Sequence, residues 1–310
     1  MKLIKGLLVA LLLVTGLIAN EANHVRVFSM DNADKKVTAK SIQEAFEKEG
    51  FMIEANNDML GPFKRDFKGV VYHDVYNLMV LWDKETFRKL AVKYPEVALF
   101  TPLSMSIYTM KGDKTINVAS ITPEGIAQMT GVPADEPALA ALGQKIEKAL
   151  KAAMPNGKFI KMPYKMAKPE GKLVVDATFK ITGDDWEEAK DDLEMAFEGE
   201  LAPNGFVSPA FVDLNYDLEE HEIEAYDFFD AYSICKIPVI YTVSQKHPEA
   251  GALAPCTMYL YTKKDEKVIH MAFPSVYKWF AALNIQDKES RDVLLDAQDK
   301  FEKILEKITK

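Results

Sequence analysis

The chain has 310 residues, 48% of them hydrophobic, and carries 38 Lys and Arg against 47 Asp and Glu for a net charge of −9. That apolar share excludes wholesale disorder, and the length supplies one large domain or two ordinary ones. From Lys172 onward 15 basic residues face 28 acidic ones, an imbalance that repels phosphate and argues against nucleic acid or anionic lipid as a partner.

The first segment, MKLIKGLLVALLLVTGLIAN, sets Lys2 and Lys5 before an uncharged run of 14 residues from Gly6 to Ala19. A membrane helix needs about 20 such residues. Ala19 and Ala22 supply small residues for cleavage, so residues 1–22 read as a secretory signal peptide. The mature chain is then expected to be periplasmic or secreted, with no stable membrane insertion after cleavage.

HVRVFSM (24–30) reads as a short strand. SIQEAFEKEG follows as a helix, with Ser41 and Glu44 spaced as a capping box and Gly50 as terminator. FMIEA is the next strand, and VYNLMVLW is apolar enough for a buried one. In Ser104-Met105-Ser106-Ile107-Tyr108 the side chains alternate, placing Met105 and Ile107 on one sheet face and Tyr108 with the serines on the other. KGDK turns this strand into TINVAS as a hairpin. Thr122-Pro123-Glu124 opens a helix that Gly131 closes, and QKIEKAL continues in an amphipathic helix with Ile146 and Leu150 on one stripe. Residues 155–172, rich in Pro, Gly and Lys, read as a semi-extended linker.

The series then starts again. KLVVDATFKI, the helical DDWEEAKDDLEMAFEGE, FVSPAFVDL, the apolar AYSICKIPVIYTV, TMYLY, KKDEK, VIHMAF and a final helix striped by Phe301, Ile304 and Leu305 keep the same order. At an offset of 153, Pro95–Ala119 aligns without a gap onto Pro248–Ala272, with 10 of 25 residues identical, among them Pro95/Pro248, Glu96/Glu249, Pro102/Pro255, Met105/Met258 and Tyr108/Tyr261. Asp74-Val75-Tyr76 meets Asp230-Ala231-Tyr232 at 156, and Gly50-Phe51 meets Gly205-Phe206 at 155. A period near 150 is a domain rather than a solenoid unit. The expected fold is α+β: two tandem two-layer sandwiches (23–154 and 173–310), each a mostly antiparallel sheet with helices on one face.

The pattern "ICK-P…HPE-G-LAPC-MYLY" (234–261) resembles the domain of unknown function 302 family of bacterial proteins, which shows a Gly-Phe after its first helix, a Cys-containing strand followed by Pro, and a Pro-Cys pair starting a hairpin strand. Gly205-Phe206, Cys235 with Pro238, and Pro255-Cys256 match; the first copy keeps Gly50-Phe51 and Pro102 but reads Met79 and Leu103 at the two Cys positions. The resemblance implies a small two-layer domain that tends to self-associate, hence an internal pseudo-dimer or a homo-oligomer. It implies no established catalytic activity.

Cys235 and Cys256 are the only cysteines. In an exported chain they suggest a disulfide across about 20 residues, worth on the order of 3 kcal/mol. Buried free thiols, or thiols that bind a metal, haem or oxidant, remain alternatives. His270 forms a soft metal site with Met258 or Met271 only if it faces as Cys256 does. The paired tyrosines Tyr108 and Tyr261 suit an interface between the domains or a small apolar cleft, and Met105 and Met258 suit core packing. The acidic run 213–230 around His221 lacks the spacing of a calcium loop and reads as a solvated connection. Asp74/Asp230 with Tyr76/Tyr232 reads as turn capping before a buried strand. No nucleophile elbow, phosphate loop, dinucleotide fingerprint or zinc-protease motif occurs, and the sequence assigns no cofactor. The expected function is an exported, non-enzymatic binding or interaction protein for a small ligand or protein, with metal-, haem- or thiol-redox-linked chemistry at Cys235 and Cys256 as the alternative.

Overall fold

The computed structural model describes residues 23–183 and 185–310; the expected signal peptide lies outside the described residues. The first half runs β1 (Val25–Asp31), α1 (Ala39–Lys48), β2 (Met52–Asp58), α2 (Leu60–Asp66), β3 (His73–Trp82), α3 (Lys84–Leu90), a 3₁₀ segment at Pro95–Phe100, β4 (Leu103–Met110), β5 (Thr115–Ile121), α4 (Pro123–Thr130) and α5 (Pro137–Ala153). A two-residue strand, β6 (Lys158–Phe159), follows within the expected linker. The second half runs β7 (Val174–Lys180), α6 (Trp186–Leu201), β8 (Val207–Asp213), α7 (Leu214–Glu219), β9 (Tyr226–Cys235), α8 (Ile237–Ser244), a 3₁₀ segment at Pro248–Ala252, β10 (Cys256–Lys263), β11 (Val268–Pro274), α9 (Val276–Leu283) and α10 (Lys288–Ile308).

The two antiparallel sheets share one strand order, β2-β3-β4-β5-β1 and β8-β9-β10-β11-β7, with β6 added beside β1. The fold is α+β, as expected. Local chemistry sets the boundaries. Thr122 caps α4, Pro123 occupies its first turn, and Gly131 closes it at φ 69°. The cap of α1 is Thr38, with Ser41 as its reciprocal partner, three residues before the expected box. The apolar run expected as one strand at 231–243 breaks after Cys235, because Pro238 cannot donate to the ladder and instead fits the first turn of α8.

Register corrects the repeat in β3 and β9. Met79 pairs with Met105, and Tyr232 pairs with Met258. Since Met105 and Met258 are equivalent, Met79 corresponds to Tyr232, and the offset in these strands is 153 rather than 156. Asp230 therefore corresponds to Asn77, not Asp74, and Cys235 corresponds to Trp82, not Met79. The similarity of DVY to DAY is a coincidence of composition three residues out of phase. Asp74 stays exposed and accepts the Gly112 N–H.

Each sheet has two buried faces. In the second half, Ile234, Met258 and Leu260 pack with Leu193 and Phe197 of α6 and Phe301 and Ile304 of α10. The alternate residues Phe229, Ala231, Tyr259 and Tyr261 join a cluster shared with the first half. The halves meet through reciprocal contacts. Ser104 Oγ donates to the Pro255 carbonyl at 2.7 Å, and its counterpart Thr257 Oγ1 donates to the Pro102 carbonyl at 2.9 Å. Ser106 Oγ and Tyr76 OH both donate to the Pro248 carbonyl, at 3.0 and 3.1 Å. From the other side, Tyr226 OH donates to the Ala91 carbonyl at 2.6 Å. The seam is isologous in form, like that of a two-fold dimer.

Close approach at the seam requires Gly251. A Cβ there would stand 2.5 Å from Ser106 Cβ, 2.6 Å from Leu78 Cδ2 and 3.2 Å from Ser106 Cα. Gly251→Ala is expected to lower stability by about 1–3 kcal/mol through this overlap. Ser104→Ala, which strips one hydrogen bond from a buried carbonyl, should cost about 1 kcal/mol. Urea midpoints of the two variants check both values.

Candidate functional site

The cysteines sit where β9 ends and β10 begins. Cys256 pairs with Ile234, so Cys235, one residue on, points to the opposite face of the sheet. Both thiols are free. The expected disulfide is corrected on this ground: a bridge between neighbouring antiparallel strands needs residues directly opposite each other. Burial pushes both thiols up to about 12, so they stay protonated and poor as nucleophiles. Cys256 Sγ contacts the Leu253 carbonyl at 3.3 Å.

His270 pairs with Tyr261, on the face opposite Cys256 and Met258. Its ring stacks on Tyr261 at 4.9 Å and its Nε2 lies 3.1 Å from Glu266 Oε2. The soft metal site with Met258 or Met271 is thereby corrected, because the sheet separates imidazole from thioether. No group of three or more His, Cys, Asp or Glu is placed to hold a metal among the described residues. Met105 and Met258 are fully buried on the helix-covered faces. In the acidic run, Asp217 is buried and bridges to Arg88 at 2.8 Å and Lys84 at 3.1 Å, both from the first half. Within 213–230 the solvated connection is confined to the exposed turn around His221 between α7 and β9, while α7 itself packs at the seam.

Tyr108 and Tyr261 line the seam, each 6% exposed. The repeated glutamates complete the exchange. Burial, then Glu249 of the second half, raises the Tyr108 hydroxyl, and Glu249 accepts from Tyr164 OH at 2.8 Å. Glu96 of the first half helps raise Tyr226, Tyr259 and Tyr261, after burial itself. Each repeated glutamate thus acts electrostatically on tyrosines of the other half.

Among the described residues three voids adjoin the thiols; one, beside Cys256, holds only about 10 Å³ and two are larger. The smaller of these two, of about 70 Å³, lies inside the second half and is almost wholly apolar, with Cys256, Met258, Trp279, Phe206 and Phe301 in its wall. The larger, of about 250 Å³, lies between the halves; Asn57, Asp58, Met59, Pro62, Leu78 and Val80 come from the first and Val207, Pro209, Ile237 and Pro255 from the second. Cys235 lines both. Sequence reasoning missed this cleft because it forms only when β2 and α2 meet β8 and α8, and no local pattern encodes that meeting.

It also missed Lys278, a lone lysine in the apolar helix VYKWFAAL. Lys278 is 1% exposed. Its Nζ meets His24 Nδ1 at 2.7 Å, Gln128 Oε1 at 3.0 Å and the Gly125 carbonyl at 3.5 Å, all in the first half. Burial pulls the amine down to about 7. Burial, then the neighbouring lysine, pulls His24 down to about 4. His73, whose Nε2 meets the Ser244 carbonyl at 3.1 Å, is also pulled down to about 4 by burial.

Residues 180–308 match the family model described as "Domain of unknown function DUF302". No curated protein matches the chain. Among solved structures, the crystal structure of an uncharacterized conserved protein DUF302 from Bacillus stearothermophilus is similar at 13% identity and a TM-score of 0.36, over 44% of this chain and 98% of that one.

Two measurements test the site chemistry. Titration in denaturant without reductant should find two thiols, with slow reaction in the native state at pH 8; one disulfide and no thiol would refute the assignment. For Lys278 the folded value lies below the unfolded 10.5, so the unfolded chain binds more protons between about 7 and 10.5 and stability rises with pH there. Between pH 7 and 9 wild type should gain stability relative to Lys278→Met. His24 and His73 act at lower pH: their contribution is complete above 6.5 and is lost as pH falls towards about 4. Urea unfolding across pH reads both slopes.

Proposed function

We propose that this is an exported, non-enzymatic binding protein built from two homologous domains locked as an internal pseudo-dimer, with its ligand held at their seam. One observation carries the reading: a void of about 250 Å³ bounded by both halves, lined by aliphatic and proline side chains with Asn57, Asp58 and a neutral Cys235 as its polar groups. Clefts between packed units are common ligand sites, and an apolar wall with few polar groups supplies burial rather than proton transfer. Shared strand order and constant register support descent of both halves from one kind of domain, the first a divergent copy of the second. The run at residues 1–22 supports export, and the acidic second half supports a partner other than nucleic acid. No helix among the described residues is long and apolar enough to cross a membrane.

A second reading rests on the smaller void, whose wall holds Cys256 and Met258, two sulfur-bearing side chains of one sheet face. Soft ligands of this kind select thiophilic ions such as Cu(I). Both voids are below the roughly 300 Å³ at which pockets for drug-sized molecules begin, so a haem macrocycle suits neither.

Protein purified from its native compartment and denatured should release a small organic molecule in near-stoichiometric amount, found by mass spectrometry. That molecule, added back, should raise Tm by linkage. Stoichiometric copper that Cys256→Ser removes, with no organic ligand, would replace the first reading with the second.

A further inference from the structure

The duplication supplies an internal control for the cleft. Cys235 corresponds to Trp82, and both occupy the seam face of their sheets. Trp82 fills its seat: the indole is 3% exposed, its Nε1 donates to Glu54 Oε1 at 2.7 Å, and Phe87 meets it edge-on at 6.0 Å. Lys84 Nζ stands 5.5 Å from the indole ring and pairs with Asp217 across the seam.

At the Cys235 seat the three charged residues of this set are each replaced by an apolar one, and Phe87 by Ile240. Pro209 lies two residues past the strand partner Val207, as Glu54 lies two past Met52. Ile237 stands two past Cys235, as Lys84 stands two past Trp82. Pro62 stands four past Asp58, as Asp217 stands four past Asp213. A thiol has taken the place of the indole, and its charged neighbours have gone with it. What is left is the 250 Å³ void, walled by Leu78, Val80, Val207, Pro209, Ile237 and Pro62, with Asp58 as its acidic group.

We propose that this open seat binds a small planar aromatic molecule of fused-bicycle size bearing an N–H donor, which takes the place that the Trp82 side chain fills on the other side of the pseudo-two-fold. The inference rests on the binding-protein reading and narrows it to a site and a ligand class. Size follows from the indole that the equivalent seat encloses. Apolarity follows from the wall, and the donor from Asp58, whose Oδ1 already accepts the Leu60 N–H and whose carboxylate has no donor capacity of its own.

Indole is the probe, with naphthalene as the analogue lacking the donor. Isothermal titration and saturation-transfer NMR on the full mature chain should show indole binding, with naphthalene at least tenfold weaker. Cys235→Trp restores the side chain that the partner seat carries and should abolish binding while leaving Tm unchanged or higher. Val207→Trp, at an edge position 43% exposed, fills the cleft from its mouth and keeps the test open if the first variant does not fold. Equal indole binding by wild type and both variants overturns the assigned site. Failure of indole, where native protein nonetheless releases another small molecule whose binding Cys235→Trp blocks, overturns the ligand class and leaves the binding-protein reading standing. Absence of any bound or bindable small molecule overturns both.

Discussion

A β-sheet has two faces, and helices that return to one side cover only one of them. Here α6 and α10 cover one face of the second sheet, and the seam faces carry Tyr76, Leu78, Ser104, Ser106 and Tyr108, or Phe229, Ala231, Thr257, Tyr259 and Tyr261, with only short helices such as α2 and α3 against them. Left in water these rows would form an apolar patch of the kind that drives association. Each half instead lays its 3₁₀ segment across the other's sheet, and a hydroxyl from each central strand caps a proline carbonyl of the opposite chain segment. The arrangement satisfies backbone carbonyls that no ladder can reach, and it does so twice because the seam repeats itself. Folding of either half to its full burial therefore depends on the other.

The seam tolerates charge only where geometry compensates it. Asp217 is buried but faced by Lys84 and Arg88. His24 and His73 are held neutral and the Lys278 amine is lowered to about 7, because their direct partners are carbonyls, an amide and each other rather than carboxylates, and the one carboxylate acting on His24, Glu124, is outweighed by burial. Burial then acts against the protonated form of each. The consequence is a joint that weakens towards acid pH through groups contributed by both halves, with no single residue as the switch.

Much of this fold is written in local sequence. The strands alternate, Thr122-Pro123 and Gly131 bound a helix, and KGDK and KKDEK turn hairpins as their composition dictates. The repeat of Pro-Glu, Pro, Met and Tyr at constant spacing matches the strand order that the two sheets share. Its meaning was not legible, because Glu96 acts on tyrosines of the second half and Glu249 on a tyrosine of the first. A residue whose partner lies in the other copy leaves no short-range signal. Similarly, DVY and DAY invited an alignment three residues out of phase, and only pairing with Met105 and Met258 fixes the register. With the wrong offset, Cys235 stood opposite Met79 and looked like an ordinary core replacement.

Corrected register changes the question that the thiols pose. Cys256 stands where Leu103 stands, on a helix-covered face, and a thiol there is a small hydrophobe. Cys235 stands where Trp82 stands, at the seam, and the exchange of indole for thiol removes a large volume from an otherwise repeated interface. Packed interiors do not keep such volume without cost: lost contacts on this scale destabilise by roughly 3–5 kcal/mol when a tryptophan is truncated in place. At this seat the loss is accompanied by three further changes, Glu54 to Pro209, Lys84 to Ile237 and Asp217 to Pro62 in register, all towards apolar and shape-restricted side chains. Neutral loss of a tryptophan would leave its charged neighbours unpartnered, whereas the replacements here form a coherent wall. The cleft is thus a built difference between two otherwise equivalent positions.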